Sequence, residues 1–166
     1  MRGLWGSGVA RFGLEVYMKV KDSSLYVTKD DIYLFGKGEW HQSYEKLGAH
    51  VAIDDDGVEG YHFAVWAPNA LSVSVVGEFN DWNDQINQMT RTLTGGIWET
   101  FIPEVSEGAL YKYAVESAGG EMMLKADPYA FYAEIPAGTA SRTADLTSHT
   151  WKDKKWLTAR KKRDFL

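Results

Sequence analysis

With 166 residues, of which 45% are hydrophobic and 25% charged, the chain is long enough for one domain of ordinary size with a hydrophobic core. It contains no cysteine, which excludes disulfides and a cysteine nucleophile and is typical of a cytoplasmic protein. No apolar run approaches the roughly 18 residues that a membrane span needs, so we expect no membrane partner.

The net charge of −5 is unevenly distributed along the chain. Residues 151–166 hold seven Lys or Arg and two acidic residues, a local charge of +5 that leaves −10 on residues 1–150. An acidic body argues against nucleic acid as the main ligand, because a phosphate backbone is bound by basic surfaces. The basic tail is interpreted as a solvated linker, or as a helix that leads out of the domain.

The first 43 residues are predicted to form an irregular or partly helical leader. Residues 1–17 contain four glycines and no sustained periodicity, and whether they are vector-derived is left open. A helix is indicated over residues 28–34, because two aspartates stand near its start and Gly36 and Gly38 follow it.

From about residue 60 the pattern changes to short strands separated by turn residues. In the string LYKYAVE, Tyr111 and Tyr113 share one face and Lys112 lies on the other, as strand alternation requires. The same kind of alternation and β-branched content indicates strands at residues 61–66, 71–76, 97–102, 110–116 and 122–125. This spacing predicts an all-β sandwich, followed from about residue 150 by a Lys-rich tail that could be helical.

The acidic and histidine residues do not suggest a catalytic or metal site. Residues 54–56 are three aspartates in a turn pattern, and Glu78, Asp81 and Asp84 belong to a polar loop where capping and turn hydrogen bonds are expected. The four histidines lack the spacing of a zinc site. There is no phosphate-binding loop and no nucleophile-elbow string, so we expect no cofactor.

Seven strings stand in a characteristic order: YEKLGAH at 44–50, FAVWAPNA at 63–70, VVGEFNDWN at 75–83, GIWETFIP at 96–103, LYKY at 110–113, KADPYA at 125–130 and TAS at 139–141. Together they resemble the N-terminal region of bacterial glycogen (1,4-alpha-glucan) branching enzymes, over about residues 31–157. A lone FNxW loop is shared with modules of debranching enzymes and of the regulatory β-subunit of AMP-activated kinase. The combination of strings is narrower. It implies a family 48 carbohydrate-binding module with an immunoglobulin-like β-sandwich over residues 44–150.

The resemblance implies a glucan-binding or supporting module that acts in glycogen biosynthesis, with an α-1,4-glucan such as glycogen or a maltooligosaccharide as its ligand. In that family, a segment like residues 151–166 is a linker to an α-amylase-type catalytic barrel, which would be the second partner. Because such a barrel needs about 200–250 residues, this chain is expected to be a non-catalytic fragment of a branching enzyme. Three alternatives stay open: a free-standing glycogen-targeting module, the front of a debranching enzyme, and a purely structural support for the barrel.

Candidate sugar contacts lie in the FNxW loop and in the strand LYKY. A flat aromatic ring packs on the C–H face of glucose, while polar side chains bind its hydroxyls. Trp82 is the leading platform because its neighbours are polar, and the resemblance aligns it with the stacking tryptophan of the kinase modules; a core tryptophan is the alternative. Lys112 matches a sugar-contacting lysine of the family, with an ordinary surface lysine as the alternative. Asn80 and Asn83 are candidate hydroxyl contacts, with turn formation as the alternative.

Two sugar contacts of the kinase modules are absent. Where those modules carry a second stacking tryptophan, residues 122–128 read MMLKADP, and where they carry an asparagine, residues 142–146 read RTADL. We therefore expect weak binding, on the order of 0.1–1 mM. Tyr129 and Phe131 follow the Asp-Pro pair and are expected at the edge of the sandwich, as contacts for the catalytic barrel or, alternatively, as part of the core.

Overall fold

The computed structural model describes residues 10–12, 15–19, 26–92, 94–146 and 152–161. The α-helices in this part of the chain are α1 Lys29–Lys37 and α2 Lys154–Lys161, short 3-10 helices lie at Ser43–Glu45 and Glu78–Asn80, and no described helix is long and apolar enough to cross a membrane. The strands are β1 Ala10–Phe12, β2 Glu15–Lys19, β3 Gly48–Ile53, β4 Glu59–Trp66, β5 Ser72–Gly77, β6 Thr90–Arg91, β7 Ile97–Pro103, β8 Leu110–Glu116, β9 Met122–Lys125, β10 Tyr132–Ala133 and β11 Ser141–Arg142.

These strands form two sheets. The first has the order β1-β2-β3-β4-β7-β6, and the second has the order β10-β11-β8-β5 with β9 also paired to β8. All pairs are antiparallel except β2 with β3. The predicted all-β sandwich is confirmed, and each strand predicted from alternation is present. Strand β3 was not predicted, and the leader contributes β1 and β2 as well as the predicted helix.

The core between the sheets is built from alternate positions of their central strands. Tyr61, Phe63 and Val65 of β4 point inward from the first sheet, and they meet Tyr111 and Tyr113 of β8. The rings of Phe63 and Tyr111 make a T-shaped contact at 5.1 Å. Burial of each such side chain stabilises the fold by about 1.5–3 kcal/mol, so this layer fixes the strand register.

The helix of the leader, α1, is capped at both ends. Thr28 is its N-cap, and its hydroxyl accepts from the amide of Asp31 while the Asp31 carboxylate accepts from the amide of Thr28. Gly38 ends the helix at φ 72°, a conformation that glycine adopts without strain. The helix packs on the outer face of the first sheet, in a cluster formed by Val27, Ile32, Phe35, Trp40, Leu47, Ala64, Ile97 and Tyr129.

A buried carboxylate fastens the segment before this helix to the first sheet. Oε2 of Glu99, on β7, accepts hydrogen bonds from the backbone amides of Tyr26 at 2.9 Å and Val27 at 3.0 Å. It also accepts from Nε2 of His62, on the neighbouring strand β4, at 3.1 Å. The segment that leads into α1 is therefore an integral part of the fold, because buried polar groups connect residues 26 and 27 to the central strands.

Candidate functional site

The loop that follows β5 is organised by Asn80. This side chain is only 6% exposed, and its oxygen accepts from the amide of Gly77 at 2.9 Å. Its amide nitrogen donates to the carbonyl of Val75 at 2.8 Å and to Oδ1 of Asn87 at 2.7 Å. Of the two roles considered for Asn80, these contacts favour turn formation over a contact with sugar. Its amide is used inside the loop, where it holds the two ends of the loop together.

Trp82 is held outward by an unusual backbone. Asp81 and Trp82 have φ values of 53° and 58°, a left-handed conformation that costs residues other than glycine roughly 1–2 kcal/mol each. The amide of Trp82 donates to the carbonyl of Gly77 at 3.0 Å, which closes the turn. The side chain is 41% exposed and belongs to neither core cluster. The loop therefore sustains backbone strain while it presents a large aromatic ring to solvent, an arrangement that is typical of functional loops.

Asn83 lies beside Trp82 on the surface. Its amide donates to the carbonyl of Asn80 at 3.0 Å, and its side-chain oxygen accepts from the amide of Gln85 at 2.9 Å. Its side-chain nitrogen donates no hydrogen bond to any residue that the structure describes. The side-chain oxygen of Asn83 therefore stabilises the turn. Its side-chain nitrogen is the group that remains suited to donate a hydrogen bond to a ligand hydroxyl.

The register of β5 and β8 brings Lys112 to the same end of the sheet as Trp82. Lys112 pairs with Val76, and the next residue, Gly77, accepts the hydrogen bond from the amide of Trp82. Nζ of Lys112 donates to the hydroxyl of Thr139 at 2.7 Å. Tyr111 and Tyr113 are buried on the opposite face, as the alternation predicted. The ammonium group is thereby held in place on the outer face of the second sheet.

Residues 46–130 match the family described as carbohydrate-binding module 48 (isoamylase N-terminal domain). The chain belongs to this family. The resemblance that the sequence strings indicated is therefore confirmed, and the surface with Trp82 and Lys112 belongs to a carbohydrate-binding module.

The family 48 module is similar to curated proteins named 1,4-alpha-glucan branching enzyme GlgB. It is 49% identical over 140 residues to the one from Butyrivibrio fibrisolvens, covering 84% of this chain and 22% of that protein. It is 52% identical over 135 residues to the one from Rubrobacter xylanophilus, covering 81% of this chain and 18% of that protein. The chain spans about a fifth of the length of the curated relatives it matches.

Solved structures with a similar fold include two pullulanases. The module superposes on the Anoxybacillus sp. LM18-11 enzyme complexed with maltotetraose with a TM-score of 0.52 and 26% identity, over 63% of this chain and 14% of that one. It superposes on the apo enzyme of Klebsiella pneumoniae with a TM-score of 0.53 and 26% identity, over 78% of this chain and 13% of that one. The module thus has its fold in common with a small part of each enzyme.

Two residues that were expected at a barrel interface lie in different environments in the module. Tyr129 packs in the cluster beneath the leader helix, and its hydroxyl lies 3.3 Å from Oγ of Ser43. The Tyr129 side chain is half-buried, so much of its surface contacts other residues of the module. Phe131 is 38% exposed and contacts His50 in a T-shaped geometry at 5.4 Å. Phe131 is the better of the two candidates for an external contact.

The KADPYA string of the module contains a buried carboxylate that sequence reasoning did not single out. Asp127 accepts from the hydroxyls of Tyr111 at 2.5 Å and Tyr113 at 3.2 Å, and also from the amide of Tyr129. Burial raises the pKa of Asp127 above its ordinary value, and these hydrogen bonds oppose the rise. Because its partners lie on β8 and in the segment after β9, Asp127 joins these parts of the module in its interior.

The outer face of the second sheet also carries residues that sequence reasoning missed. Tyr132 of β10 pairs with Arg142 of β11, and Arg142 pairs with Leu110 of β8. Each of the strands β10 and β11 has two residues, which is too short for any periodicity to reveal.

No group of His, Asp and Glu suited to a metal ion occurs among the described residues.

Proposed function

We propose that the chain is the N-terminal glucan-binding module of a 1,4-alpha-glucan branching enzyme, and that it binds α-1,4-glucan on the outer face of its second sheet. The observation that carries the proposal is Trp82, an exposed ring on a strained loop at the same end of the sheet as Lys112. The names of the curated relatives support the choice of parent enzyme over a debranching enzyme or a free-standing module.

The chemistry of this surface suits a glucose ring. The indole of Trp82 offers a flat apolar face for the C–H groups of the sugar. The ammonium of Lys112 and the amide nitrogen of Asn83 supply donors for hydroxyls. Asn83 follows Trp82 in the loop, and Lys112 pairs with Val76 on the strand that leads into that loop. Because Thr139 already fixes Lys112, little side-chain entropy is lost when a sugar binds.

In this proposal, residues 1–43 are the leader, residues 44–150 are the module, and residues 151–166 connect it to the catalytic barrel of the parent enzyme. The barrel would cleave and transfer the glucan, and the module would hold the chain near it in the cytoplasm. Phe131 is the candidate contact with the barrel because its ring is partly exposed at the margin of the sandwich.

Titration of the whole chain with maltoheptaose, followed by heat or tryptophan fluorescence, tests the proposal. We expect saturable binding with a dissociation constant on the order of 0.1–1 mM in the wild type. Trp82→Ala should abolish this binding. Trp66→Ala is the matched control, since Trp66 is also about half exposed but lies at the end of β4 in the other sheet. It should bind as the wild type does.

A second candidate function is structural support of the barrel, and the absence of the second stacking tryptophan favours it. A folded wild-type chain that binds no maltoheptaose would favour this role and contradict the glucan-binding proposal. Loss of binding in Trp66→Ala but not in Trp82→Ala would move the site to the first sheet and contradict the assignment of the surface.

A further inference from the structure

The outer face of the second sheet extends beyond Lys112 to a tyrosine–arginine pair. Arg142 pairs with Leu110 on one side and with Tyr132 on the other, so their side chains share the face that carries Lys112. The guanidinium of Arg142 lies 5.8 Å from the centroid of the Tyr132 ring. Since Tyr132 is 53% exposed, this ring forms a second aromatic surface on the face.

The hairpin that carries the pair is closed by its own hydrogen bonds. The amide of Glu134 donates to the carbonyl of Ala140 at 2.9 Å, and the amide of Ala140 donates to the Glu134 carboxylate at 3.1 Å. The guanidinium of Arg142 also donates to the carbonyl of Gly108 at 2.9 Å. The ring and the guanidinium are therefore preorganised, which lowers the entropic cost of binding a ligand.

The same hairpin also connects the pair to the Trp82 surface. Thr139, between the two strands of the hairpin, accepts the hydrogen bond from Lys112. Three strand spacings separate β10 from β5, a distance of about 14 Å across the sheet. Several consecutive sugar rings of one glucan chain cover such a distance, with Lys112 between the two aromatic surfaces.

Building on the proposed function, we propose that Tyr132 and Arg142 form a second subsite for the same α-1,4-glucan chain, in place of the absent second tryptophan. The Tyr132 ring packs on the C–H face of a sugar unit remote from Trp82. Arg142 has five N–H donors, and those beyond the one that Gly108 accepts bind hydroxyls of that unit. The ligand of this surface is accordingly a linear glucan longer than a trisaccharide.

The test compares maltotriose with maltoheptaose by calorimetric titration of the whole chain. The wild type should prefer maltoheptaose, and Tyr132→Ala should weaken maltoheptaose binding about tenfold while leaving maltotriose binding unchanged. Tyr132→Phe retains the ring and should weaken maltoheptaose binding less than Tyr132→Ala does. Tyr33→Ala is the matched control, because Tyr33 is 60% exposed with a cation, Lys37, over its ring, but lies on α1. This variant should bind as the wild type does.

Unchanged maltoheptaose binding by Tyr132→Ala would overturn the second subsite, while loss of binding in Trp82→Ala would still uphold the proposed function. If Tyr132→Ala weakened the binding of maltotriose and of maltoheptaose equally, the second subsite would also be overturned, since that result indicates a single site. Absence of binding by the wild type would overturn both. If Tyr132→Ala does not fold, NMR on the wild type tests the second subsite by detecting contacts between maltoheptaose and the Tyr132 ring. Observed contacts support the subsite, and their absence at saturation overturns it.

Discussion

The hydroxyl of Tyr111 donates a 2.5 Å hydrogen bond to the carboxylate of Asp127, in the interior of the sandwich. Tyr113, two residues further along β8, donates to the same oxygen at 3.2 Å. The backbone amide of Asp127 in turn donates to the hydroxyl of Ser141 on β11 at 2.9 Å. Asp127 therefore connects the segment after β9 to β8 and β11, the strands that carry Lys112 and Arg142.

Removal of this carboxylate should destabilise the domain strongly. Asp127→Ala leaves two buried tyrosine hydroxyls without their acceptor, and we expect the free energy of unfolding to fall by about 3 kcal/mol or more. Tyr111→Phe removes only one donor and should cost about 1–2 kcal/mol. Urea unfolding measures both values. Tyr132→Phe, at an exposed ring, is the control and should stay within about 0.5 kcal/mol of the wild type. An Asp127→Ala loss below 1 kcal/mol would contradict a structural role.

The two asparagines of the Trp82 loop should respond differently to substitution. Asn80→Ala removes three hydrogen bonds from a buried side chain, so we expect a loss of about 2–3 kcal/mol in stability, together with loss of maltoheptaose binding. Asn83→Ala removes one exposed turn contact and should cost at most about 0.5 kcal/mol, with a modest loss of affinity. Thermal unfolding measures the stability of both variants, and titration with maltoheptaose measures their affinity. Equal stability of the two variants would show that Asn80 does not organise the loop.

Stability should fall between pH 7 and pH 5 because of His50. Burial lowers the pKa of His50 below its ordinary 6.5, and the neighbouring His62 acts in the same direction. As the pH falls through 6.5, the unfolded chain binds a proton that the folded chain does not bind, so the free energy of unfolding falls. The slope from one such group is at most about 1.4 kcal/mol per pH unit.

His50→Gln isolates this effect, since glutamine retains a donor for the Leu47 carbonyl and does not titrate. Urea unfolding at pH 7, 6 and 5 should show a smaller decline for the variant than for the wild type. Comparison of the two slopes cancels the contribution of the other titrating groups. Identical slopes would contradict a lowered pKa at His50.

The segment before α1 should be released by loss of Glu99. In Glu99→Ala the backbone amides of Tyr26 and Val27 lose their acceptor, so their hydrogen exchange should accelerate at least about tenfold. The free energy of unfolding should also fall by about 2–4 kcal/mol, because His62 loses its buried partner. Glu121→Ala, at an exposed position, is the control. Wild-type exchange rates at residues 26 and 27 in Glu99→Ala would exclude the proposed attachment.

Local patterns in the sequence predicted the central part of this fold. The period of two in LYKYAVE placed Tyr111 and Tyr113 inside and Lys112 outside, since successive side chains of a strand point to opposite faces. Two aspartates near its start, with Gly36 and Gly38 after it, predicted α1, and the polar neighbours of Trp82 predicted an exposed ring. These features were predictable because each depends on residues that are adjacent in sequence.

Only the tertiary structure decided which side chains meet. Asn80 and Asn83 are both asparagines of one polar loop, yet the fold buries the first and exposes the second. Lys112 and Thr139 are 27 residues apart, and Tyr132 meets Arg142 across two strands of two residues each. A strand of two residues has no period, and a hydrogen bond between distant residues leaves no local pattern. The sequence therefore determined the sandwich and its Trp82 loop, while the packing of the chain decided the rest of the surface.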